Sequence, residues 1–107
     1  MKLVKPALDP GTTEYGGVVK ISITDKDSPL FCAGVFILKP GESLPMESHK
    51  TDEMFYVITG TLSVTNSDKG ESYTVSAGEI FLISAGEMHL SENNTGSDVE
   101  VFWTNGG

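Results

Sequence analysis

Apolar and polar residues alternate with a period of two along most of this chain. The clearest runs are 18–24 (VVKISIT), 53–59 (EMFYVIT), 61–66 (TLSVTN), 72–76 (SYTVS), 79–84 (EIFLIS) and 99–103 (VEVFW). A longer apolar run covers 30–38 (LFCAGVFIL). Period-two alternation in segments rich in β-branched and aromatic residues predicts half-buried strands. Turn formers separate the runs: KDSP, KPGE, TG, SDKG, SAGE at Ser76 and again at Ser84, and NTGSD. No segment carries a sustained helical period. Many short strands divided by turns predict an all-β sandwich or barrel. Gly60, between two strand-like runs, reads as the left-handed residue of a hairpin turn. Gly41, Gly78 and Gly86 read as similar junctions.

Composition sharpens this picture. The 107 residues suffice for one domain with one core, and no linker or low-complexity tract divides them. At 38% apolar residues the chain has enough apolar surface to offset the entropy of ordering, which excludes a disordered protein. The net charge of -8, with no basic run, argues against nucleic acid and anionic membrane as partners. The apolar runs are too short to span a bilayer as helices. The first residues, MKLVKPALDPG, show no secretion leader, so a cytoplasmic protein is expected. A lone cysteine, Cys32, excludes an internal disulfide and is expected to be a small buried hydrophobe.

The candidate chemistry gathers between Pro40 and Gly60, in PGESLPMESHKTDEMFYVITG. If 46–49 is extended, Glu47 and His49 share a face, because successive side chains point to opposite sides of a strand. Glu53, Phe55 and Val57 share a face by the same rule. A face bearing Phe and Val points inward, so Glu53 opens an inward series. A buried carboxylate is costly unless it is paired or bound to a cation. This arrangement predicts a barrel mouth where polar ligands meet an apolar interior, with Phe55 and Val57 as pocket walls. Tyr56 has the opposite parity and is expected outside. Met46, Met54 and Met88 read as packing residues, and Phe36, Phe81, Phe102 and Trp103 as core or dimer surface.

These residues resemble the two motifs of the cupin family. In residues 41–60, Gly41 is followed by five residues, Glu47, Ser48, His49, three residues, Glu53, six residues and Gly60. The family motif has histidine where this chain has Glu47. In residues 78–93, Gly78 is followed by five residues, Ser84, Ala85, Gly86, two residues, His89, three residues and Asn93. Here the family has proline where this chain has Ser84. The resemblance implies a cupin double-stranded β-helix, a jelly-roll barrel, as a single domain over residues 1–107.

It further implies a metal site at His49, Glu53 and His89, with Glu47 in place of the first histidine. Two arrangements are open. Glu47 completes a Glu-His-Glu-His set, which its parity with His49 favours. Otherwise His49, Glu53 and His89 form a two-His, one-carboxylate triad. The only two histidines of the chain fall on the two expected positions. Mixed oxygen and nitrogen donors suit a divalent transition metal: Mn, Fe, Ni, Co or Zn. A second carboxylate would offset the charge of that ion and make it a weaker Lewis acid. Phe55, Val57 and Asn93 are expected to border the pocket, with Asn93 supporting the turn after His89. The expected function is a metal-binding small cupin, leaning to an enzyme of dioxygenase, isomerase or lyase type acting on an oxygenated small molecule. The alternative is a non-catalytic ligand-binding or sensor cupin. Similar proteins commonly pair, so a homodimer is expected.

Overall fold

The computed structural model describes residues 1–106. Eight strands follow a 3-10 turn at Pro6–Leu8: β1 (Val18–Ile23), β2 (Cys32–Leu38), β3 (Glu53–Thr59), β4 (Thr61–Asn66), β5 (Glu71–Ser76), β6 (Ile80–Ile83), β7 (Leu90–Glu92) and β8 (Val99–Asn105). They form two antiparallel sheets, ordered β1-β2-β8-β3-β6 and β5-β4-β7. This is the cupin double-stranded β-helix architecture that the motifs imply.

Alternation decides which side chains meet. In β3, Glu53, Phe55 and Val57 are buried, while Met54 and Tyr56 face the other way. In β4, Leu62 and Val64 turn inward. The inner faces of both sheets contribute to one core that includes Phe36, Leu38, Phe55, Val57, Leu62, Val64, Val99 and Val101. Phe36 and Phe55 meet edge-on, with ring centroids 5.4 Å apart and planes at 75°. Each such side chain stabilises the fold by about 1.5–3 kcal/mol through removal of apolar area from water. On the outer face of the larger sheet, Tyr56, Ile80 and Leu82 remain exposed.

Gly60 does not close a hairpin. β3 pairs with β6 and β8 in one sheet, and β4 pairs with β5 and β7 in the other. The chain therefore changes sheets at Gly60. Its φ is +81°, and a Cβ there would lie 2.5 Å from the Asp98 carbonyl oxygen. Both the left-handed backbone and the close approach of the 98–99 segment require glycine. Just before this corner, the β3–β8 register shifts between Val57 and Thr59. Such a bulge bends a strand and increases its twist.

Other boundaries also differ from the period-two reading. β7 has three residues, too few for a visible alternation. β8 continues through Thr104 and Asn105, beyond the apolar run, because pairing with β2 and β3 carries it on. β2 begins at Cys32, and Cys32 is half-buried rather than buried, since it starts the strand at the sheet margin.

Candidate metal centre

Glu47 and His49 lie on an irregular extended segment that runs beside β7. The Glu47 amide donates to the His89 carbonyl at 3.0 Å, and the His89 amide donates to the Glu47 carbonyl at 2.9 Å. This isolated antiparallel bridge holds two residues from distant parts of the chain side by side. His49 is fixed by its own carbonyl, which accepts from the Gly86 amide at 2.8 Å. Gly86 has φ +82°, the conformation that aims its amide there and that favours glycine. Glu53 arrives from the other sheet as the first residue of β3, opposite Asn105 of β8 and Ile83 of β6.

The four side chains converge. His49 Nε2 lies 3.3 Å from Glu53 Oε1 and 3.5 Å from Glu47 Oε1. His89 Nε2 lies 3.2 Å from Glu53 Oε1 and 3.8 Å from Glu47 Oε1. One ligand atom from each residue lies within 4.8 Å of every other. Two atoms bound to one ion at about 2.1 Å stand at most about 4.2 Å apart. The four measured contacts meet that limit, and the remaining pairs lie within 4.8 Å.

Burial and unmet bonding point the same way. Glu53 is 5% exposed and His89 3%. His49 Nε2, Glu53 Oε1 and His89 Nε2 are all buried without a hydrogen-bond partner, and their close polar contacts are the ionic ones to the carboxylates and imidazoles of the cluster itself. Polar atoms are rarely orphaned in this way, since each costs about 1–3 kcal/mol of desolvation. A shared cation would satisfy all three at once. The outer atoms are already engaged. His89 Nδ1 lies 3.2 Å from the Glu87 carbonyl, which favours a proton on Nδ1 and a free lone pair on Nε2. Asn105 Nδ2 donates to Glu53 Oε2 at 3.4 Å, leaving Oε1 directed inward. Burial alone lowers the pKa of His89, but the neighbouring Glu53 carboxylate, the Glu87 carbonyl and the charge of Glu47 together hold it above the ordinary imidazole range.

A cavity of about 150 Å³ opens onto this cluster and is bordered by Glu47, His49 and Glu53. Its remaining wall is mainly apolar, with Val19, Ile21, Phe36, Phe55 and Trp103 prominent. A second cavity of about 260 Å³ reaches His89 from the other side, between Tyr73 of β5 and the β6 strand. Phe55 borders the first cavity. Val57 does not: parity turns it inward, but one step deeper, where it is fully buried in the core. Asn93 also lies off both cavities. It is fully buried and donates to the carbonyls of Leu38 and Ser97 at 2.9 and 2.7 Å, while accepting from the Thr95 amide. It therefore braces the loop that follows β7.

Several wall residues escape the sequence reading. Trp103 is half-buried at the cavity and is not simply core. Asn105 lies past the point where β8 ceases to look like a strand. Val19 and Ile21 share a parity that marks one face of β1, but only the sheet order brings that face to the cluster. Tyr15 lies in the loop before the first strand.

The sequence model of the cupin domain family matches residues 34–105. A search of curated proteins found no match. Among solved structures, the polyketide cyclase RemF from Streptomyces resistomycificus aligns over 99% of this chain and 79% of its own, with a TM-score of 0.84 at 23% identity. A Cupin 2 conserved barrel domain protein from Salinispora arenicola aligns over 100% of this chain and 89% of its own, with a TM-score of 0.83 at 15% identity. Oxalate oxidase in complex with the substrate analogue glycolate aligns over 98% of this chain, but this chain spans only 59% of that one; the TM-score is 0.77 at 21% identity.

Proposed function

The chain belongs to the cupin domain family, and on that premise we propose that it is a metal-dependent enzyme acting on an oxygenated small molecule. Glu47, His49, Glu53 and His89 would hold one divalent transition ion. The observation that carries this reading is the convergence of three buried, unpartnered donor atoms on one point. The donor set fits such an ion, since two imidazoles and two carboxylates suit Mn, Fe, Ni, Co or Zn. Two ionised carboxylates also balance a divalent charge in a place where an unbalanced one would be costly.

The ion, when bound, supplies Lewis-acid polarisation of substrate oxygens. The protein's own residues do the rest. Asn105 orients the Glu53 carboxylate, and the Glu87 carbonyl sets the tautomer of His89. Phe36, Phe55 and Trp103 exclude water from one side of the reacting molecule. Glu47, whose side chain is 42% exposed, stands at the mouth; with Oε1 turned to the cluster, its second oxygen, Oε2, is the one placed to accept or return a proton. Dioxygenase, isomerase and lyase chemistry would each draw on that polarisation. The similarity to a polyketide cyclase and to an oxalate oxidase, both acting on oxygen-bearing organic molecules, supports an organic substrate with oxygen donors.

Elemental analysis of purified protein tests the reading. About one first-row transition metal per chain is expected, lost in the double variant His49→Ala, His89→Ala. Protein that takes up no metal on reconstitution would refute it. Oxygen uptake and isomer-shift assays over sugars, keto acids and diketones then separate an enzyme from a ligand-binding cupin.

A further inference from the structure

The wall of the first cavity narrows the substrate class, on the premise that the four-residue cluster holds a divalent ion. No lysine borders that cavity, and the chain contains no arginine at all. Arginine is the side chain whose planar fork matches a carboxylate. Lys2 and Lys69 are engaged with Asp27 and Glu87, and Lys20 donates to the Pro6 carbonyl. A small dianion placed in this cavity would face the carboxylates of Glu47 and Glu53, which already balance a divalent ion, and no further cation. The desolvation of its charge would go uncompensated.

The wall offers something else. Val19, Ile21, Leu44, Phe36, Phe55 and Trp103 present apolar area. Apart from the cluster, the polar side chains are Tyr15 at the rim and Asn105, which is engaged with Glu53. Orientation of a ligand therefore falls to its contacts with the ion, and affinity to its apolar body. A volume of about 150 Å³ holds about five waters at ~30 Å³ each, which suits a single ring.

We propose that the substrate is an uncharged, ring-bearing molecule with two neighbouring oxygen donors, of the β-diketone or hydroxy-ketone class, and that small dicarboxylates are excluded.

Trp103, the single tryptophan, reports from the wall of the cavity. The metal-loaded protein, its metal content first verified, is titrated with benzoylacetone, acetylacetone and oxalate, and Trp103 fluorescence is read after inner-filter correction. The two diketones share a chelating head and differ in apolar body. Burial of even part of the added ring predicts at least about tenfold tighter binding of benzoylacetone than of acetylacetone. Oxalate is expected to give no saturable change over the same concentrations. Ile21→Ala, a change at a half-exposed wall position, should weaken benzoylacetone severalfold and leave acetylacetone within about twofold. Equal affinity for the two diketones, or oxalate binding as tightly as benzoylacetone, would overturn the substrate class. Protein holding no metal would instead overturn the metal reading.

Discussion

Replacing Glu53 with glutamine separates what the cluster contributes to the fold from what it contributes to metal binding. The substitution keeps shape and removes charge. In the metal-free protein Glu53 is a buried carboxylate, with His89 Nε2 and His49 Nε2 at 3.2 and 3.3 Å. Losing it removes a charge attraction and also a desolvation cost, two opposed quantities of similar size. Glutamine can still accept from Asn105 with its carbonyl oxygen. Metal-free stability is therefore expected to change by no more than about 1 kcal/mol, or roughly 4–8 °C in Tm for a chain of this size. Wild-type protein at a free metal concentration of 100 Kd gains about 2.7 kcal/mol by mass action, a rise of roughly 11–22 °C. Glu53→Gln should lose most of that rise. Thermal scans with and without Mn, Co, Ni and Zn, beside chelator-treated controls, measure both quantities. A wild-type Tm indifferent to every metal, or a variant that keeps the full rise, would refute the reasoning.

Three further outcomes follow from the same geometry. The raised pKa of His89 means that the metal-free fold binds a proton more tightly than the unfolded chain does. That contribution to stability is complete below about pH 6.5 and is lost as pH rises through the folded value. Metal uptake runs the other way, because it needs the free Nε2 lone pair, so apparent affinity falls by up to about tenfold per pH unit below the folded value; pH-dependent thermal scans of both forms show the opposite slopes. Gly60→Ala must place a Cβ 2.5 Å from the Asp98 carbonyl at φ +81°. Chemical denaturation should show a loss above about 1 kcal/mol. Asn93→Ala leaves the buried carbonyl of Leu38 and that of Ser97 without this donor, and should cost about 2–3 kcal/mol in the same assay while metal stoichiometry is unchanged.

The sequence by itself determined what is local. Period-two alternation marked β3 and β4 at their observed bounds and pointed Glu53 inward with Phe55, because side-chain direction in a strand depends only on neighbours. Motif spacing alone singles out Glu47, His49, Glu53 and His89. Tertiary structure alone decided which strands share a sheet. Gly60 looked like a hairpin and is a corner between sheets, since the same left-handed glycine serves both and only the approach of Asp98 distinguishes them. The bridge that sets Glu47 beside His89, the donation from Asn105 to Glu53, and the deeper burial of Val57 depend on pairings between segments far apart in the chain. Those pairings are selected by burying one common core, a property of the whole molecule that no short window of residues contains.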